Sequence, residues 1–116
     1  MEQKIIGFMR ENGIAVFAEA DRETKAVHIE KLGSLESWDV FQQLVLYSDV
    51  DVLCDSTRSK FPFQTWGQGN TGCLISWLDE NKAVVLFFDC ELTGAAFTDW
   101  IRDLDQRVRQ MWVLFR

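Results

Sequence analysis

Residues 61–89 constrain the fold more than any other stretch, because they read either as a nucleotide-binding turn or as a β-meander. GQGNTG, residues 67–72, spells G-x-G-x-x-G; FPFQTW precedes it, and KAVVLFFD follows later, ending in the acid Asp89. In a dinucleotide turn the third glycine opens a helix whose N-terminus holds the pyrophosphate. Here that helix would be TGCLISWLDENK, about three turns long, and CLISW is rich in strand formers. A hairpin fits better. With a turn at Glu80-Asn81, Cys73, Ile75 and Trp77 share one face with Val84, Leu86 and Phe88. Leu74 and Leu78, flanking Ser76, share the other with Ala83, Val85 and Phe87. Both faces of the pair are apolar, so both need cover. The glycines and Asn70 then supply the positive φ of a second tight turn, joining FPFQTW to CLISWL. Phe61-Pro62 suits an edge strand, since proline cannot donate to a ladder. A doubly wound fold would also need more strand–helix units after Asp89, and one helix uses up the remaining sequence.

That last helix, residues 95–115, keeps Phe97, Trp100, Ile101, Leu104, Val108, Met111, Trp112 and Phe115 on a single stripe. Asp103–Arg107 and Asp105–Arg109 are i,i+4 pairs expected on its solvated side. At the other end, residues 2–11 form a short amphipathic helix closed by Asn12-Gly13. Two strands follow, 14–20 and 26–31. In the second, Val27 and Ile29 face one way and His28 and Glu30 the other.

A second helix runs from Ser34, a suitable N-cap, to about residue 48. It carries two apolar stripes: Leu35, Trp38, Phe41, Val45 and Leu46 on one side, Val40, Leu44 and Tyr47 roughly opposite. Two stripes call for burial on both sides, by the fold or by another chain. Residues 49–60 read as an irregular connection.

Length sets the scale: 116 residues make one domain, 1–116. The chain is 47% hydrophobic and 26% charged, with one proline and no low-complexity run. Its net charge of −6 argues against nucleic acid, whose phosphates are bound by neutralising them. The longest apolar run, residues 83–88, is far too short to span a bilayer, which takes about 20 residues. MEQKIIGFMREN is not a secretory signal, so a cytoplasmic protein with no membrane partner is expected. Cys54, Cys73 and Cys90 include no CxxC pair and point neither to disulfides nor to zinc.

The groups that catalysis requires are sparse. His28 is the one histidine, on the polar side of an edge strand. Cys54 lacks an activating partner, Ser34, Ser48 and Ser59 sit in no nucleophile elbow, and Asp49/Asp51 lack the rest of a calcium loop. No enzyme activity, cofactor or metal is expected.

With helices and strands in the order α-β-β-α-β-β-β-α, the chain resembles the roadblock/dynein light chain family over nearly its whole length. The resemblance rests on FQTWGQGNTGCLISWLDENKAVVLFFD, similar to that family's three-strand meander, and on the Leu92-Thr93-Gly94 step into the last helix. It implies an α+β fold of the roadblock/profilin-like kind, an α/β/α sandwich with a central, mostly antiparallel five-stranded sheet and helices on both faces. It further implies a dimerising scaffold or regulator of a small GTPase or motor complex, paired through the second helix and the first meander strand as a homo- or heterodimer. The interface would then use Trp38, Phe41, Gln42, Val45 and Tyr47, with Phe63 and Thr65 on the edge strand. Two alternatives fit the same composition: a small acidic inhibitor or immunity protein against a basic toxin, and a ligand-sensing domain of the PAS or GAF kind with tryptophans lining a pocket.

Overall fold

The computed structural model describes residues 2–32, 50–55, 57, 60–68, 71–89 and 91–114. Among these, helix α1 (Glu2–Asn12) precedes strands β1 (Ile14–Asp21) and β2 (Ala26–Lys31). A single helical turn α2 (Val50–Leu53) comes next, then β3 (Phe63–Gln68), β4 (Thr71–Trp77), β5 (Lys82–Asp89) and the long helix α3 (Gly94–Leu114). The five strands form one sheet in the order β2-β1-β5-β4-β3, every neighbouring pair antiparallel. The expected second helix, 34–48, lies outside the described residues.

Local chemistry explains where the elements stop. Gly13 sits at φ +68°, the left-handed conformation that ends a helix, and Asn12 Nδ2 donates to Phe8 O at 2.8 Å. The β1–β2 turn is closed by Asp21 Oδ1, which accepts the Glu23 N–H at 2.9 Å.

The sheet separates two apolar layers. On one side, α1 supplies Ile5, Phe8 and Met9, and α3 supplies Ile101, Leu104 and Val108. They pack on Phe17, Leu74, Val84, Leu86 and Phe88. On the other, Leu53 and Cys54 meet Val16, Ala18, Cys73, Ile75, Trp77, Val85 and Phe87. β4 and residues 83–88 of β5 are buried throughout, as strands covered on both faces must be. Burying a large aliphatic or aromatic side chain contributes about 1.5–3 kcal/mol, so these two strands hold much of the fold together.

The segment after the third glycine is therefore extended, and GQGNTG is a hairpin connection. Gly67 pairs with Gly72 and Gln68 with Thr71, with positions 69 and 70 outside the described residues. The β4–β5 register departs from expectation by one residue. Trp77 faces Ala83 and Cys73 faces Phe87, so Cys73, Ile75 and Trp77 share a face with Ala83, Val85 and Phe87. The cause is the turn. The Leu78 N–H donates to Lys82 O at 3.0 Å, leaving a three-residue loop, 79–81, in which Asp79 Oδ1 takes the Asn81 N–H at 2.7 Å. A two-residue turn would have exchanged the faces. Gly72 thereby sits beneath Phe88, where a Cβ would collide with the ring.

Candidate functional site

Among the described residues, the two end strands of the sheet, β2 and β3, each have one side without a neighbouring strand. Bonded and non-bonded residue pairs alternate along an antiparallel ladder, so one hydrogen bond fixes which backbone groups face outward. Trp77 N–H donates to Pro62 O at 3.1 Å. Counting along the register, Gln64 turns toward β4, whereas Phe63, Thr65 and Gly67 direct their N–H and C=O groups away from the sheet. The Leu32 N–H donates to Ala15 O at 2.8 Å, and the same count turns Val27, Ile29 and Lys31 outward on β2.

The side chains along these edges differ. β3, FQTWGQ, has no charged residue. β2, AVHIEK, has His28, Glu30 and Lys31, with His28 Nε2 2.8 Å from Glu30 Oε1. Charged side chains along an edge discourage pairing with another chain; their lack leaves a template open.

Of the candidate interface residues, Phe63 and Thr65 lie two apart on β3, on the face toward α1 and α3. Phe63 packs against that layer, and Thr65 Oγ1 donates to Cys73 O at 2.7 Å. Their contribution to the edge is thus mainly backbone. Phe61, 64% exposed, stacks on Phe63 with ring centroids 6.1 Å apart. Trp38, Phe41, Gln42, Val45 and Tyr47 lie outside the described residues.

One end of this edge is fastened by a network that the helical periodicity did not reveal. Asp105 is 4% exposed rather than solvated. Its Oδ1 accepts from buried Ser76 Oγ at 2.6 Å, and its Oδ2 accepts from Arg109 Nε at 3.0 Å. Arg109 Nη1 then donates to Trp77 O at 2.9 Å and Nη2 to Pro62 O at 2.6 Å. The signal was present in the sequence: Ser76 is a lone hydroxyl in an apolar strand, and Asp105 borders the stripe of Ile101, Leu104 and Val108. A buried hydroxyl requires a partner. The opposite corner is held by ion pairs at the surface. Lys25 Nζ lies 2.7 Å and Arg22 Nε 3.4 Å from Asp51 Oδ1.

Cys54 and Cys73 are both buried. Burial raises the Cys54 pKa and pushes that of Cys73 well above the ordinary thiol value, so both thiols stay protonated near neutrality. Among the described residues no three His, Cys, Asp or Glu side chains gather as metal ligands, and no helix is long and apolar enough to cross a membrane. A groove of about 620 Å³ runs between α1 and α3, lined by Lys4, Phe8, Glu11, Arg107 and Met111 among others.

No family model matches the sequence, and no curated protein does. Solved structures do. The gliding protein MglB from Thermus thermophilus superposes with a TM-score of 0.57 at 13% identity, covering 95% of this chain and 86% of that one. An MglB with tetrameric arrangement gives 0.55 at 14%, covering 95% and 85%. A Roadblock/LC7 domain from Streptomyces avermitilis gives 0.51 at 12%, covering 93% of each. At such identities the likeness is one of backbone architecture, and the strand order and flanking helices agree with it: this chain has a roadblock-like fold.

Proposed function

We propose that this protein is a non-enzymatic interaction module, which pairs with a second copy of itself along β3 and serves as a scaffold or regulator for a small GTPase or motor complex. The observation that carries the pairing is the uncharged outer side of β3, where Phe63, Thr65 and Gly67 offer three N–H and three C=O groups to an incoming strand. Antiparallel pairing about a two-fold axis at Thr65 engages all six at once. It sets Thr65 against its own copy and Phe63 against the partner's Gly67. Cross-strand threonine pairs are favourable, and an aromatic side chain covers the gap at a glycine.

The wider role is supported by the likeness in fold to MglB, a gliding protein, one structure of which has a tetrameric arrangement. The resemblance to roadblock domains implies that the paired helices would make the platform, with Trp38, Phe41, Gln42, Val45 and Tyr47 contributing. The pairing is tested by Thr65→Cys. Directly opposed residues of a bonded antiparallel pair have Cα atoms about 5.5 Å apart, within disulfide reach. Mild oxidation should yield a covalent dimer from Thr65→Cys and none from His28→Cys. An uncrosslinked Thr65→Cys chain would remove the pairing.

A further inference from the structure

The geometry points to Arg109 as a positioning residue for the β3 edge: its guanidinium supplies the ladder hydrogen bond that Pro62 cannot. This deepens the proposed pairing and rests on it. In the alternation along β3 and β4, positions 62 and 77 form a bonded pair, in which each residue normally donates its N–H to the other's carbonyl. One half is present, Trp77 N–H to Pro62 O at 3.1 Å. The other half cannot exist, because proline has no N–H. Trp77 O would be left without its donor, and Trp77 is 4% exposed, where an unsatisfied carbonyl is costly.

Arg109 Nη1 fills that gap at 2.9 Å, and Nη2 adds a bond to Pro62 O at 2.6 Å. The guanidinium is itself aimed by Asp105 Oδ2, 3.0 Å from Nε, and Asp105 is fixed by Ser76 from β4. Helix α3 thus sets where β3 begins. Phe63, the first outward-facing position, is the next residue after the clamped Pro62. Without the clamp the strand is released from this end first, and the edge loses the position that meets the partner's Gly67.

The experiment uses the full chain in three forms beside wild type: Arg109→Met, Pro62→Ala, and the two combined. Arg109→Met should weaken pairing roughly tenfold, the scale of losing charge-assisted hydrogen bonds. It should also speed amide exchange at Gln64, which bonds to β4, more than at Leu74, which bonds to β5. The double variant is decisive. Alanine restores the N–H that Trp77 O lacks, so Pro62→Ala in the Arg109→Met background should return pairing and Gln64 protection close to wild type. General loss of stability would not be repaired by a change at position 62. Arg109→Lys, which reaches one carbonyl, should fall between and serves if Arg109→Met does not fold. Unchanged pairing in Arg109→Met, or no rescue by Pro62→Ala, overturns the role of Arg109 while leaving the proposed pairing intact. A wild-type chain that never pairs overturns both.

Discussion

The two edges of the sheet are built from the same ladder geometry and differ in what surrounds it. β2 ends the sheet with His28, Glu30 and Lys31 along six residues, and its corner is tied to α2 by Asp51, Lys25 and Arg22 at the surface. β3 ends it with no charge at all, and its corner is tied to α3 by a buried serine and aspartate and a half-buried arginine. Exposed ion pairs contribute little and are screened by salt. A network with a buried hydroxyl and a buried carboxylate fixes one geometry, because leaving either of them unpaired is expensive. One edge is therefore guarded and loosely tied, the other unguarded and firmly held. That combination suits a strand meant to be extended by another strand.

The largest expected effect breaks this contrast outright. Thr65→Pro removes an N–H that points outward, so the β3–β4 ladder survives. Pairing should weaken by at least about 100-fold, read by sedimentation or light scattering across a dilution series. Ile29→Pro, with an equally outward N–H on β2, should leave pairing unchanged. Equal effects from both would end the distinction between the edges.

Next comes the firmness of the β3 corner. Asp105→Ala leaves the buried Ser76 hydroxyl and Arg109 Nε without their acceptor and should cost about 3 kcal/mol in chemical denaturation. A smaller loss, about 2 kcal/mol, is expected for Gly72→Ala, whose methyl must displace the Phe88 ring near the β3–β4 turn.

The smallest effect belongs to the β2 corner. The hydrogen bond from Lys25 is the main cause of a lowered Asp51 pKa, helped by the nearby Lys25 and Arg22 charges. A depressed folded pKa means that the contribution is complete above the unfolded value, near 3.8, and fades as pH falls through the lower folded one. The melting temperature of Asp51→Asn should therefore lie slightly below wild type at neutral pH, and the gap should close in acid.

How much of this was legible beforehand differs by element. The meander and the last helix could be read because strand formers and a 3.6-residue stripe leave few alternatives. The β4–β5 register could not. Cys73–Trp77 and Ala83–Phe88 are apolar on both faces, so alternation fits either pairing, and the parity of the turn at Asp79 decides. Asp105 and Arg109 read as a solvated pair from sequence because a pair four residues apart on a helix is commonest on solvated faces. What sets this one apart is Ser76, 29 residues away in sequence. Phe63 and Thr65 lie on the end strand β3, as the Phe61-Pro62 step implies. That their backbone rather than their side chains faces outward follows only from the bond at Pro62.

The most direct test of the central claim is the mass in solution at micromolar concentration, measured by light scattering on the wild-type chain and on Thr65→Pro. Two-fold pairing along β3 predicts twice the 13.5 kDa chain mass for the first and a single chain for the second. A wild-type mass of one chain across the whole concentration range, or an undiminished dimer in Thr65→Pro, would contradict it.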